Sequence, residues 1–206
     1  MRHPKWTSAA SAALLLVSTV GLAGCGDDSD LGSMPGTQHG DKPTNPAGEH
    51  NDADVAFSGH MILHHQQAVQ MADIAGWQAT NAGTKKLATA IKAAQEPEMR
   101  QMSAWLTGWG KPVPSPSHGG HEMEDSIPGM MTEDEMHAMG QAEGPEFDRM
   151  WIQMMIKHHQ GAVAMAKTER ASGKNSDAIA LAKKIETAQT ADIANLKRLL
   201  GQINAS

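Results

Sequence analysis

Two pairs of adjacent histidines are the residues of this 206-residue chain whose type and spacing could do chemistry. His64 and His65 lie in the stretch HMILHHQQAVQMA, and His158 and His159 lie in MMIKHHQGAVAMA. The two stretches are offset by 94 residues, and nine of their thirteen positions are identical. Paired imidazoles can bind a transition metal or form hydrogen bonds with buried carboxylates. The duplication therefore predicts two equivalent candidate sites.

The first stretch has the periodicity of an amphipathic helix, and both of its histidines fall on the apolar side. An imidazole that is buried without a partner costs about 1–3 kcal/mol, so each one needs a hydrogen bond, an opposite charge or a metal. The apolar side contains Phe57, Met61, Ile62, Ala68, Val69, Met71, Ala72 and Ala75, and the opposite side contains Gln66, Gln67, Gln70 and Asp73.

The helix that follows each histidine pair carries an amide and a carboxylate at the same offset. Gln95 and Glu98 correspond to Gln189 and Asp192. We predict that His64 lies near Glu98 and that His158 lies near Asp192, each within its own hairpin. The alternative is that these polar residues form a solvated helix face.

Hydrophobic periodicity predicts an all-α fold, an antiparallel four-helix bundle made of two repeated helical hairpins. Thr84 and Ser176 are the predicted N-caps of the second and fourth helices, and Pro97 predicts a kink. Repeat 1 covers about 54–110 and repeat 2 about 145–204, within a domain at 53–206. The predicted helices are 54–78, 84–109, 146–171 and 176–203.

The linker at 111–144 begins with a region rich in Pro and Gly and is dense in soft or borderline metal ligands. Thr132 and Glu135 form a capping-box pattern, which predicts a short helix that ends at Gly140. We expect this linker to be open and to bind cuprous ion rapidly. Its candidate ligands are His118, His121, Met123, Met130, Met131, Met136, His137 and Met139.

The amino terminus has the pattern of a bacterial lipoprotein. Residues 1–24 combine a basic start with an apolar run, and the sequence Leu-Ala-Gly-Cys places Cys25 at a lipobox. We predict that the signal peptide is removed and that a flexible tether at 25–52 joins the lipidated cysteine to the bundle. This predicts an extracytoplasmic protein that is anchored to the bacterial cell membrane. Because Cys25 is the only cysteine, internal disulfides and thiolate metal sites are excluded.

The charge balance argues against nucleic acid as a partner. The chain has 17 basic and 23 acidic residues, a net charge of −6. Loss of Arg2 and Lys5 with the signal peptide would leave 15 and 23, a net charge of −8. An acidic surface offers no basic stripe for phosphates.

The duplicated motif resembles the domain-of-unknown-function 305 family. The resemblance is carried by GMMTEDEM, EFD and the two histidine stretches, together with Gln95, Glu98, Trp105, Leu106, Gln189 and Asp192, and it covers nearly all of 54–204. It implies a ferritin-like four-helix bundle in a secreted or lipid-anchored protein. Some members of that family are associated with copper binding.

The ligand types favour an extracytoplasmic protein that binds copper for homeostasis or resistance. Thioethers and imidazoles suit copper better than magnesium, calcium or manganese, and zinc is less favoured because it would use the histidines alone. A homo-oligomer or a copper-delivery partner is compatible with this function, but neither is specified. The candidate metal ligands, besides those of the linker, are His64, His65, His158, His159, Met61, Met155, Met71, Met165, Glu98 and Asp192.

Two alternatives stay open. One is a non-enzymatic structural or interaction module, in which the histidines only form hydrogen bonds with carboxylates. The other is a ferritin-like di-metal oxidoreductase, which is disfavoured because Met61 and Met155 stand where the Glu-x-x-His motif needs a carboxylate. The sequence has no nucleophile elbow, phosphate-binding glycine loop or HExxH motif, and we therefore predict that the protein is not an enzyme.

Overall fold

The computed structural model describes residues 48–115 and 127–205, and the secondary structure of these residues is entirely α-helical. The predicted signal peptide, Cys25, the tether up to residue 47, His118, His121 and Met123 lie outside the described residues. Among the described helices, none is both long and apolar enough to cross a membrane. The helices are α1 (Asp52–Gln78), α2 (Ala82–Gly108), α3 (Glu133–Gln141), α4 (Gly144–Ser172) and α5 (Ser176–Asn204).

The four long helices form the predicted antiparallel bundle. Short loops join α1 to α2 and α4 to α5, so each pair packs as a hairpin. The two hairpins meet mainly through α1 and α4, which are the helices that carry the histidine pairs. Short α3 packs against α4. The fold therefore brings the duplicated motifs of the two repeats face to face.

Asparagines cap the second helix of each hairpin. The side-chain oxygen of Asn81 accepts hydrogen bonds from backbone N–H groups of α2, and Asn175 does the same for α5. The predictions of Thr84 and Ser176 as N-caps were wrong. Asparagine is as good an N-cap as serine or threonine, and each asparagine lies early enough to reach the N–H groups that have no partner within the helix.

The two hairpins hold each other's loops through equivalent aspartates. Asp148, in the first turns of α4, accepts hydrogen bonds from the backbone N–H groups of Thr80 and Asn81 at 3.1 and 2.9 Å. Asp54 in α1 is its counterpart at the offset of 94, and it binds the equivalent N–H groups of the α4–α5 loop at 2.9–3.1 Å. This exchange of contacts agrees with the prediction that the bundle is made of two repeated helical hairpins.

The first described residues belong to the edge of the bundle, although the tether was predicted to extend through residue 52. Helix α1 begins at Asp52, where Asn51 and Asp54 form a capping box. The Asn51 side chain also donates a hydrogen bond of 2.8 Å to the Ser172 carbonyl. Residues 48–52 are therefore not tether, because capping and the neighbouring loop order them.

Two apolar clusters fill the bundle, and the histidine pairs lie between them along α1 and α4. One cluster contains Phe57 and Met61 from α1, and the other contains Met71 farther along the same helix. In α4 the order is reversed, with Met155 before the histidines and Met165 after them. The four imidazoles thus form a polar layer across a methionine-rich core.

Candidate metal centre

His64 and His158 meet at the contact between the two hairpins. Their ring centroids are 3.6 Å apart, the planes are inclined by 34°, and both residues are fully buried. Within each pair the neighbouring rings are farther apart, 6.5 Å for His64 and His65 and 6.4 Å for His158 and His159. The contact between repeats is therefore closer than the contact within either repeat. We call His64 and His158 the inner pair.

The outer histidines, His65 and His159, face the carboxylates instead. His65 Nε2 lies 3.1 Å from Glu98 Oε2, and His159 Nε2 lies 3.6 Å from Asp192 Oδ2. Our prediction that His64 and His158 lie near these carboxylates was wrong by one position. One residue rotates a helical side chain by about 100°. That rotation turns the first histidine of each pair towards the other repeat and the second towards its own hairpin.

In the first repeat, a lysine joins the contact between His65 and Glu98. Lys184 of α5 places its ammonium 3.3 Å from Glu98 Oε1. Burial alone would raise the pKa of Glu98, but His65 and Lys184 lower it below its usual value. His65 and Glu98 are therefore stabilised as a hydrogen-bonded pair that the second hairpin helps to hold.

Burial keeps three of the imidazoles neutral. It lowers the pKa of His64 and His158 well below the usual value, and the neighbouring imidazoles lower it further. Backbone carbonyls near both rings oppose this shift but are not in hydrogen-bonding geometry. The pKa of His65 is lowered as well, less strongly because Glu98 opposes it. A neutral imidazole retains the lone pair that a metal needs.

Most of the ring nitrogens in this layer form no hydrogen bond with any residue that the structure describes. Both nitrogens of His64, His158 and His159 and the Nδ1 of His65 are buried and accept or donate no hydrogen bond within the described residues. Gln95 Oε1 and the Gln189 amide are likewise unsatisfied. Buried polar groups in folded proteins nearly always have partners. A soft or borderline metal ion fits this donor set because it would coordinate nitrogen lone pairs that the protein leaves unused.

The described residues do not contain a preformed cluster of three His, Asp or Glu side chains at metal-binding distance. The layer contains pairs instead, and buried methionines precede and follow these pairs along the helices. Met61 and Met155 are fully buried and precede the inner histidines by three residues, a spacing that shares a helix face. Met71 and Met165 are also buried, within the apolar clusters on either side. A metal here would need sulfur ligands or a ring rotation.

The linker is less open than predicted. Met131 and Met139 are buried in the core, and Met130 and Met136 are partly buried against it. Of the candidate ligands described in this linker, His137 is the exposed one. Met side chains fill core gaps well, and these linker methionines are buried or partly buried for this reason. The expectation of an open, rapidly binding site therefore fails for residues 127–141.

A short segment, residues 127–131, packs against the α4 backbone at His158 and near the His64 ring, and this packing depends on a difference between the repeats. The position of Gln67 in the first repeat is Gly161 in the second. Gln67 exchanges hydrogen bonds of 2.7 and 2.8 Å with the Met131 backbone, whereas a Cβ at Gly161 would collide with the Pro128 carbonyl. We call this segment the cover. The difference between Gln67 and Gly161 is visible in the sequence, but its structural role becomes clear only from the path of the linker.

Comparisons with known proteins agree with this fold and with the duplicated motif. The family described as Domain of unknown function (DUF305) matches residues 54–200. A DUF305 protein from Streptomyces coelicolor, named as a candidate secreted protein, has a similar structure: TM-score 0.67, 30% identity, coverage of 74% of this chain and 94% of that one. For a DUF305 fragment from Deinococcus radiodurans the TM-score is 0.68 and the identity 30%, with coverage of 75% and 99%.

A third similar structure is that of CopM in its Cu(II)-bound form. Its TM-score is 0.62 at 34% identity, and the match covers 72% of this chain and 96% of CopM. The same protein has been solved in Cu(I)-bound, silver-bound and apo forms. No curated protein matches this sequence.

Proposed function

Since this chain belongs to the DUF305 family, we propose that it is an extracytoplasmic protein that binds copper through histidine and methionine. The observation that carries the proposal is the inner pair, two buried imidazoles from different repeats whose four ring nitrogens lack hydrogen bonds within the described residues. Similarity to CopM, a protein solved with copper and silver bound, supports the same metal class.

The type of donor favours copper over other metals. Imidazole nitrogens accept copper or zinc, whereas thioethers favour cuprous ion. Among the described residues, the layer has buried methionines on both sides of it and carboxylates at its outer ends, beyond His65 and His159. Cuprous ion, with its low coordination number, suits the pairs that the described residues form. The bound ion would be held by His64 and His158 with sulfur from Met61 or Met155.

We further propose that the protein is a lipoprotein and not an enzyme. Cys25 is the cysteine of the lipobox, so lipidation there would keep the bundle near the membrane on the extracytoplasmic side. The buried layer offers metal donors but no carboxylate-rich di-metal pattern. A binding protein in that location would serve copper homeostasis or resistance, by storing the metal or passing it to a partner.

An anaerobic cuprous competition titration tests the proposal. The double variant His64→Leu and His158→Leu should lose the tightest class of cuprous site. Because Leu is apolar and fills much of the imidazole volume, helicity should be kept. His137→Leu, at an exposed position, is the matched control and should keep that class. If the double variant binds as much cuprous ion at the same affinity as the parent, the inner pair is not the site.

A structural module is the second candidate, and the His65, Glu98 and Lys184 network favours it. In this case the polar layer would only fix the pairing of the hairpins. Copper separates the two functions through thermal unfolding. A ligand that binds only the folded state adds about 2.7 kcal/mol at one hundred times its Kd. A structural module would unfold at the same temperature with and without stoichiometric cuprous ion.

A further inference from the structure

A second buried polar cluster lies away from the histidine layer, where the chain enters the bundle. Asp54 accepts hydrogen bonds from the backbone N–H groups of Asn51, Lys174 and Asn175, at 2.6, 3.1 and 2.9 Å. Glu169 of α4 reaches the same loop, where its carboxyl lies against Gly173, and both acidic residues are almost completely buried. The Glu169 oxygens form no hydrogen bond among the described residues, although the Asp54 carboxyl lies close enough to interact with them. Two carboxylates in contact and out of water need a shared proton or a cation.

The other repeat is a natural control for this arrangement. Asp148, the counterpart of Asp54, binds its loop in the same way. The positions equivalent to Glu169 and Gly173 are Ala75 and Ala79 in the first repeat. A Cβ at Gly173 would collide with the Glu169 carboxyl. The glutamate and the glycine therefore occur together, and the first repeat shows that the fold needs neither.

We infer that Asp54 and Glu169 share one proton and form a pH-sensitive clasp, which holds the α4–α5 loop to the start of α1. Asp54 already accepts N–H donors, so it remains the carboxylate and Glu169 is the acid that donates to it. A metal cation is disfavoured because those N–H groups point at the Asp54 oxygens. A pocket lined by Phe57, His60 and Met165 also borders Glu169 and gives its proton a route to solvent.

The electrostatics of the pair agree with this geometry. Burial, followed by the contact with Asp54, raises the pKa of Glu169 to about 8. Burial alone would raise the pKa of Asp54, but the interaction with Glu169 and the hydrogen bonds from the three N–H groups lower it overall.

Other charged groups around the clasp do not neutralise it. The Lys174 ammonium pairs with Glu49 at 3.2 Å, and Arg170 pairs with Glu186. His60 lines the same pocket, and Asp52 and Asp177 lie in the first turns of α1 and α5. Because Lys174 and Arg170 are each paired with another carboxylate, neither of them replaces the proton when Glu169 ionises.

The sign of the effect follows from proton binding. Between pH 4.5 and about 8 the folded protein holds one proton that the unfolded chain has released, so the free energy of unfolding falls as pH rises. The stabilisation is complete below pH 4.5 and is lost above about 8. Loss of the proton places two adjacent carboxylates in the clasp, which should open first at the loop.

Amide hydrogen exchange in the full-length protein tests this, because each loop reports on its own aspartate. Protection of the Lys174 and Asn175 amides, divided by that of Thr80 and Asn81, should fall on the order of tenfold from pH 6 to pH 9, the change that one pKa unit represents. The ratio cancels the intrinsic pH dependence of exchange.

Two variants sharpen the test. Glu169→Gln still donates to Asp54 but cannot titrate, so its ratio should stay constant across this range. The double variant Glu169→Ala and Gly173→Ala restores the arrangement of the first repeat and should also give a constant ratio. A constant ratio in the parent protein, or an equal fall in Glu169→Gln, would overturn the clasp.

Discussion

The outer histidine–carboxylate pairs of the two repeats occupy equivalent positions but differ in strength. In the first repeat, His65 forms a hydrogen bond with Glu98, and Lys184 completes the network. In the second, His159 is 3.6 Å from Asp192, which is too long for a hydrogen bond. The shorter Asp side chain explains the gap. The duplicated framework has thus kept the histidine pairs and changed how firmly each outer histidine is held.

The two outer histidines therefore differ in how many ring nitrogens are available to a metal. His65 uses Nε2 for Glu98, whereas both nitrogens of His159 are unbonded within the described residues. His65 is therefore the firmly held outer histidine, and His159 is the one whose ring nitrogens make no hydrogen bond within the described residues. We expect a metal entering the inner pair to recruit His159 more readily than His65.

Acidification should lower the free energy of unfolding more than any of the substitutions below, because it protonates histidines of both repeats together. The pKa values of His64, His65 and His158 are lowered in the folded state, so the unfolded chain binds more protons below pH 6.5. Their contribution to stability is present above pH 6.5 and is lost as pH falls. Urea unfolding between pH 7 and 5 should show a loss steeper than one proton, which is about 1.4 kcal/mol per pH unit. A flat profile would mean that the imidazoles are not buried neutral.

Removal of the carboxylate should lower the free energy of unfolding by different amounts in the two repeats. Glu98→Ala leaves His65 buried beside an empty space and should cost about 3 kcal/mol, as for one half of a buried pair. Asp192→Ala should cost about 1 kcal/mol or less, because the Asp192 side chain is 31% exposed and its contact is long. Urea unfolding at pH 7 measures both values. Equal losses would show that the difference in distance has no energetic meaning.

Exchange of residues between the repeats at the cover should have the next largest effect. Gly161→Gln installs the residue of the first repeat and must push Pro128 away, which should cost about 1–3 kcal/mol for overpacking. Limited proteolysis should then cleave the linker faster. Ala138→Gln, which introduces the same side chain at an exposed position in α3, is the control and should leave the cleavage rate unchanged. Unchanged cleavage in Gly161→Gln would mean that the cover does not depend on this glycine.

The smallest effect should come from Lys184. Its side chain is 67% exposed, so Lys184→Ala should cost below about 1 kcal/mol. The equivalent position in the first repeat is Ala90, and Ala90→Lys places a lysine where Asp192 could receive it. We expect Ala90→Lys to narrow the difference between the repeats slightly, measured by the cost of Asp192→Ala in that background. No change in that cost would show that lysine does not define the stronger pair.

Periodicity and duplication were enough to predict the bundle, the inward histidines and the Thr132 capping box. They could not decide which member of each histidine pair faces the carboxylate, because that depends on the rotation of α1 against α4. The burial of Met131 and Met139 was also missed, since a Pro- and Gly-rich segment has no periodicity that shows where it packs. Asp54 and Asp148 gave no signal beyond their shared offset, because their partners are backbone N–H groups of distant loops.

The most direct test of the copper proposal is a nitrogen-15 NMR titration of the histidine rings with cuprous ion under anaerobic conditions. The ring nitrogens of His64 and His158 should shift first, at substoichiometric metal, followed by those of His159, while His65 keeps its bond to Glu98. Shifts confined to exposed histidines such as His137, with the inner pair unchanged at one equivalent, would contradict the account.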